Sequence, residues 1–290
     1  MTTQLADIKR SALRWLALAL LFAAACLPAR AQIAETPDAP MLNSDSIRQA
    51  FDSQPYFGLY KDNYFIFGTA IGPKPDKVNS NIKFQISIAQ RLTKSTLPWG
   101  TYLYLFYSQK VIWNILMNSQ PMTDLNFNPG VGLAKPFFSD NRYIGKAFVV
   151  FEHESNGRDG DISRSWERLS FGANILIDQN LMVHGKFWLP WADGMHNRDI
   201  TKYCGIFQTG LQAMSNDRKY NCAITLVKRA GFNLNYNTVL EFGVRLWSKS
   251  NQYLFVQYYN GYGENLLDYK QYRSELRVGI QIKPPLFSDF

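Results

Sequence analysis

From about Asp62 onward the chain is written in segments of roughly eight to thirteen residues in which apolar and polar side chains alternate. Polar, glycine-rich or proline-rich turns separate the segments. A period of two is the signature of a strand with two unlike faces, and a helix cannot present it. In "IKFQISIAQRL", Ile82, Phe84, Ile86 and Ile88 share one face, and Lys83, Gln85 and Ser87 the other. In "YNTVLEFGVRLW", Tyr236, Thr238, Leu240, Phe242, Val244 and Leu246 lie opposite Asn237, Glu241, Gly243 and Arg245. About twelve such segments begin near residues 63, 82, 101, 129, 144, 165, 180, 205, 220, 236, 252 and 272. An even number of long alternating strands suits a closed antiparallel barrel, which leaves no unpaired edge.

The first thirty-one residues follow a different pattern. Lys9, Arg10 and Arg14 precede an apolar run from Trp15 to Leu27, which ends at Ala29-Arg30-Ala31. Positive charge, then a short apolar core, then small residues is the arrangement of a secretory signal peptide, so residues 1–31 are expected to be removed. Their loss takes four basic residues and one acidic residue, lowering the formal charge from +8 to +5. Residues 32–61 show no alternation and hold three prolines. They are expected to form a periplasmic N-terminal segment with one short helix around Ser44 to Phe51, ahead of a barrel over 62–290. Export, long strands, aromatics near strand ends, a terminal Phe290 and no apolar run long enough for a spanning helix favour a twelve-stranded antiparallel transmembrane β-barrel of the outer membrane. A secreted β-sandwich would be built from shorter strands. No basic run with interleaved aromatics points to nucleic acid. Cys204 and Cys222 remain after export; a disulfide between them and two unpaired thiols are both open.

Parity makes the stretch "FEHESNGRDGDISRSWERL", residues 151–169, unusual. Tyr143, Gly145, Ala147, Val149 and Phe151 share a face with His153 and Ser155, whereas Glu152 and Glu154 share the other with Lys146. On the next strand, Leu169, Phe171, Ala173 and Ile175 share a face with Glu167 and Ser165, and Arg168, Ser170 and Asn174 point into the lumen. His153, Ser155 and Glu167 are therefore expected on the lipid side, where an ionisable group is unfavourable by ~2–4 kcal/mol at the midplane and by less near the interface. A channel gains nothing from that placement. An enzyme acting on lipid does: Ser155 supplies a hydroxyl nucleophile, His153 a base two residues away, and the neighbouring strand a group to orient the imidazole. The loop "SNGRDGDISRS" is rich in oxygen donors and made flexible by Gly157 and Gly160, which suits a hard cation such as calcium, although it lacks the acidic spacing of an EF-hand.

"HESNG" followed by "SRSW" closely resembles the outer membrane phospholipase A family of Gram-negative bacteria. "IKFQISIAQRL", "YSQ" at Tyr107 to Gln109 with Trp113 after it, "DITKY" at Asp199 to Tyr203 and "GYGENLLDY" at Gly261 to Tyr269 are similar to that family in the same order. The resemblance implies a twelve-stranded barrel that hydrolyses acyl esters of glycerophospholipids and lysophospholipids, with phospholipase A1 and A2 activity, dependent on calcium and activated by homodimerisation. It implies Ser155 as nucleophile, His153 as base and the Gly157 N–H in the oxyanion hole. It further implies that calcium takes the Ser163 hydroxyl, the Arg158 carbonyl and, from the partner chain, a carbonyl near Ser119 in "NSQPM". Gln109 matches a polar residue that hydrogen-bonds across the dimer, an ordinary lumenal amide being the alternative. Where the family commonly has asparagine fourteen positions after the histidine, this chain has Glu167, whose carboxylate would also stabilise an imidazolium. The rival expectations are a passive porin that has lost catalysis, and an adhesive barrel, which would need longer loops than these.

Overall fold

A computed structural model describes residues 48–49, 51–140, 142–192, 195–248 and 250–284. The expected signal peptide, the start of the expected N-terminal helix and Phe290 lie outside the described residues; Arg48, Gln49, Phe51 and Asp52 are helical. The chain forms one antiparallel sheet that closes on itself. Its strands are β1 (Phe57–Leu59), β2 (Asn63–Ala70), β3 (Ser80–Arg91), β4 (Tyr102–Trp113), β5 (Met122–Ser139), β6 (Arg142–Ser155) and β7 (Ser165–Leu176). The remainder are β8 (Leu181–Ala192), β9 (Phe207–Met214), β10 (Tyr220–Lys228), β11 (Tyr236–Arg245), β12 (Gln252–Gly261) and β13 (Arg273–Ile282). From β2 onward each strand pairs with the next in sequence, and β13 returns to β2. β1 and β2 both pair with β3, at Ile88–Gln90 and at Ser80–Gln85, so they are two pieces of one stave broken at Tyr60–Asp62. The wall therefore has twelve staves, as the alternation indicates.

Two elements depart from expectation. β1 lies inside the segment expected to carry no strand, because a three-residue pairing is too short to show a period. β5 begins at Met122, not near 129. Between them, Asp124, Asn126 and Asn128 point inward and are buried, so this part of the strand has almost no apolar contrast, and Pro129 imitates a turn signal.

The faces are inverted relative to a water-soluble protein. Phe65, Phe151, Leu189 and Val278 are about half exposed on the outside, whereas Arg277 and Gln281 in the lumen are 2% and 0% exposed. An apolar exterior on a closed sheet is what a bilayer requires, since every strand hydrogen bond is made within the wall. Inside, charge is paired. Glu152 takes Arg168 at 3.0 Å and Lys186 at 2.6 Å, and Glu264 takes Arg277 at 2.6 Å and Lys83 at 3.2 Å. Asp62 accepts from Gln281 and Lys283, both at 2.7 Å.

Both mouths are filled. At the end nearer the N-terminal segment, Tyr60, Tyr102, Tyr104, Phe106 and Phe148 form an aromatic cluster, with Phe51 packed against it. Arg91 anchors that segment by donating to the carbonyls of Phe51, Asp52 and Gln54. At the opposite mouth, Trp166, Trp188, Ile200, Leu266 and Tyr269 pack together. This explains the "DITKY" and "GYGENLLDY" segments, because Tyr269 donates to Asp199 and the two loops lock into each other. A filled lumen is a packed core with polar contents, and it argues against the passive porin.

Candidate active site

The site begins where β6 and β7 end at the mouth closed by those loops. His153 pairs directly with Glu167 across the two strands, and Ser155 with Ser165. His153 Nδ1 lies 2.9 Å from Glu167 Oε1, and the two side chains are 39% and 41% exposed on the outer surface, beside Phe151. An ionised carboxylate only accepts, so Nδ1 is the donor and Nε2 keeps its lone pair. Ser155 follows on the same face, two residues along. The strand alternation thus brings His153, Ser155 and Glu167 to one lipid-facing patch.

The chain then turns through residues 156–164, and Asn156 holds the turn. Its side chain is buried, donates to the Ile162 carbonyl at 2.8 Å, and accepts from the Arg158 and Arg164 backbone N–H groups at 3.3 and 3.0 Å. Gly157 sits at φ 62°, and a Cβ there would fall 2.8 Å from the Phe127 ring. Glycine is therefore required both by conformation and by space. Arg164 donates to the carbonyls of Asp161 and Ser163 at 2.8 and 2.7 Å, and Asp159 caps the Gly160 N–H. Among the described residues, no hydrogen bond engages the Ser163 hydroxyl or the Arg158 carbonyl, while the carbonyls of Asp161, Ile162 and Ser163 are all taken. Two neutral oxygen donors thus remain open in a glycine-rich turn, the chemistry a hard cation takes. The described residues hold no cluster of three His, Cys, Asp or Glu side chains suited to a metal, so any cation here relies on hydroxyl, carbonyl and water oxygens.

Ser119 and Gln109 belong to other elements, Gln109 to β4 and Ser119 to the turn after it. Ser119 is exposed in the loop between β4 and β5, and no hydrogen bond joins it to residues 153–167 among the described residues. Gln109 has the outward parity of Leu105, so the lumenal alternative does not hold; its Oε1 accepts from the Tyr107 hydroxyl at 3.1 Å. Cys204 carries no disulfide, so a Cys204–Cys222 bridge is not formed. An apolar groove of about 480 Å³ runs over the outer wall from His153 past Phe151, Val131, Leu105 and Ile88 to Phe57.

Two further asparagines that frame the site have no mark in the sequence, unlike Asn156, which stands in "HESNG". Asn197 is fully buried and grips the Ser165 backbone, donating to its carbonyl at 2.9 Å and accepting from its N–H at 3.4 Å. Asn128 donates to the His153 carbonyl at 2.8 Å. Isolated loop or lumen amides carry no period and no motif, and only the fold shows what they hold.

Comparison with known proteins bears on the barrel as a whole. The family profile described as Phospholipase A1 matches residues 57–282. Phospholipase A1 of Salmonella typhimurium strain LT2 is 28% identical over 94% of this chain and 98% of its own length. Phospholipase A1 of Escherichia coli strain K12 is 27% identical over 92% and 96%. Among solved structures, outer membrane phospholipase A from Escherichia coli superposes with a TM-score of 0.66 at 25% identity, covering 79% of this chain and 99% of that one. The Salmonella typhi outer membrane phospholipase dimer with bound calcium gives 0.68 at 26% identity, covering 82% and 96%. With a closed barrel of the same kind and a profile match running from β1 to the end of β13, the chain belongs to the phospholipase A1 family.

Proposed function

We propose that this barrel is a calcium-dependent outer-membrane enzyme that hydrolyses acyl esters of glycerophospholipids and lysophospholipids, at both glycerol positions, and works as a homodimer. The observation that carries the reading is the His153–Glu167 pair on the lipid face, next to Ser155 and at the head of an apolar groove.

Lipid reaches Ser155 sideways from the membrane, with one acyl chain along the groove. The Ser155 hydroxyl attacks the ester carbonyl while His153 Nε2 takes its proton, and Glu167 holds the imidazole and offsets its positive charge. The Gly157 N–H donates to the developing oxyanion. His153 then returns the proton to the leaving alcohol, and water activated by the same imidazole releases the fatty acid from Ser155. Calcium, which the solved Salmonella typhi relative binds, would be held by the Ser163 hydroxyl and the Arg158 carbonyl, with a partner-chain carbonyl near Ser119 completing the set. When bound it supplies positive charge beside the oxyanion. Gln109, an amide on the lipid-facing wall, is the residue we assign to hydrogen bonding across the dimer.

The test is fatty-acid release from mixed phospholipid–detergent micelles by refolded protein, with excess calcium or with chelator, for wild type and Ser155→Ala. The reading expects calcium-dependent release that vanishes in the serine variant. No release from folded wild type would replace this reading with the passive barrel.

A further inference from the structure

The backbone of His153 is held from the other side of the barrel wall. The β5–β6 register shifts between Phe137 and Phe138, and near the site the pairing is interrupted between Phe127, opposite Ser155, and Gly130, opposite Glu152. The same register places Pro129 opposite His153 and Asn128 opposite Glu154. Proline has no N–H, so the ladder donor that would meet His153 is missing, and interior strand prolines normally leave a carbonyl to be satisfied otherwise. Here the donor is the Asn128 side chain, from the lumen, at 2.8 Å from the His153 carbonyl oxygen.

Asn128 is itself fixed. Its amide also donates to Glu152 Oε2 at 3.3 Å, and both residues are buried. The Glu152 carboxylate is clamped by Lys186 at 2.6 Å, Ser170 at 2.7 Å and Arg168 at 3.0 Å, so it cannot swing away. Glu152 precedes His153, Arg168 follows Glu167, and the two face each other across the same strand pair. The lumenal charge network therefore sits directly behind the outer histidine–carboxylate pair.

We propose that Asn128 is a positioning residue for His153: it replaces the hydrogen bond that Pro129 removes and transmits the rigidity of the Glu152 network to the imidazole on the lipid face. Pro129 lines the apolar groove, where a saturated ring without an N–H offers an apolar surface to an acyl chain, and Asn128 restores order to the strand behind it. This rests on the phospholipase reading for its role in turnover, but the clamp itself is a statement about one carbonyl.

Two measurements test it. Asn128→Ala should lower kcat by between about tenfold and a hundredfold with KM unchanged, because a small displacement of a proton-transfer group acts on the chemical step. Adding Pro129→Ala to that variant returns a backbone donor opposite His153 and should restore most of the lost kcat. A merely structural role would not be rescued by deleting a second side chain. Because the chain has three histidines, histidine labelled at its carbonyl carbon gives an infrared spectrum simple enough to follow. One labelled band should rise in frequency in Asn128→Ala and return in the double variant. Wild-type kcat in Asn128→Ala, a labelled band that does not move, or a folded double variant without rescue would each overturn the clamp. An inactive wild type would overturn the phospholipase reading instead, leaving the infrared result to decide this one.

Discussion

His153 and Glu167 are direct cross-strand partners, and the 2.9 Å contact between Nδ1 and Oε1 is made on the outside of the barrel. Fixing one ring nitrogen as donor leaves the other basic. Glu167→Gln keeps an oxygen for the Nδ1 proton but loses the charge, so it should retain part of the activity, within about tenfold. Glu167→Ala should lose about a hundredfold, the lower range for a general base out of place. Steady-state hydrolysis by both variants checks this, and equal near-wild-type rates would remove Glu167 from the mechanism.

Gly157→Ala should be costly in activity more than in stability. The left-handed backbone at φ 62° adds about 1–3 kcal/mol of strain for a residue with a Cβ, and that Cβ meets the Phe127 ring. The turn would relax by moving the N–H assigned to the oxyanion, with an expected fall in kcat of about a hundredfold. Shortening Phe127 in the same chain removes the contact but not the torsional strain, so recovery should be partial. Full recovery would show that sterics alone mattered.

Phe57, on β1, stands at the far end of the apolar groove from His153. Strands β6, β5, β4, β3 and β1 lie side by side, and four spacings of about 4.8 Å make the groove roughly 19 Å across. A single leaflet of hydrocarbon is about 15 Å thick, half the bilayer core, so a chain of that reach ends short of Phe57 and only longer acyl chains meet it. Phe57→Ala should shift the optimum of kcat/KM toward longer acyl chains and Phe57→Trp toward shorter ones. A series of phosphatidylcholines of graded chain length measures it, and superimposable profiles would show that Phe57 has no part in selection.

Gln109→Leu should weaken the dimer without unfolding the barrel. An amide on the lipid face gains roughly 0.6–2 kcal/mol from an interhelical-type hydrogen bond in a membrane, so the dissociation constant should rise between about threefold and thirtyfold. Chemical cross-linking in detergent at graded protein concentration reads this directly. An unchanged midpoint would assign the amide to its intramolecular Tyr107 contact alone.

Glu264, in the loop between β12 and β13, links acid sensitivity to the closed mouth. Burial by itself raises its carboxyl, but the Arg277 and Lys83 cations more than offset this and hold it down at about 2, against an ordinary value of 4.5. The folded state thus binds this proton more weakly than the unfolded chain does. Its stabilisation is complete above pH 4.5 and is lost as pH falls from there toward 2. Glu264→Gln should destabilise the barrel at pH 7 by about 3 kcal/mol or more, since it leaves two buried cations short of their partner. It should also flatten the acid limb of a thermal-unfolding series, and an unaltered acid limb would place that sensitivity on other carboxylates.

Much of this was legible before any fold was known. Eleven of the twelve expected strand starts fall within a few residues of the observed ones, because period two is a local property that each segment carries in full. The exception, β5, is the strand whose inner face is almost all asparagine and aspartate and whose middle holds Pro129. Parity alone assigned His153, Ser155 and Glu167 to the outer face, since one misplaced residue would have turned the whole apolar set of its strand inward.

By itself, the sequence determined the barrel, the face each side chain takes and the spacing of His153, Ser155 and Gly157, all of which follow from alternation along one strand and its turn. Only the tertiary structure decided that Glu167 meets His153 at hydrogen-bond distance, that Asn128 and Asn197 hold the backbones of the two site strands, and that Phe57 shares a groove with His153. Those relationships depend on register between strands and on loops packed across the mouth. Contacts between residues far apart in the chain leave no period in it.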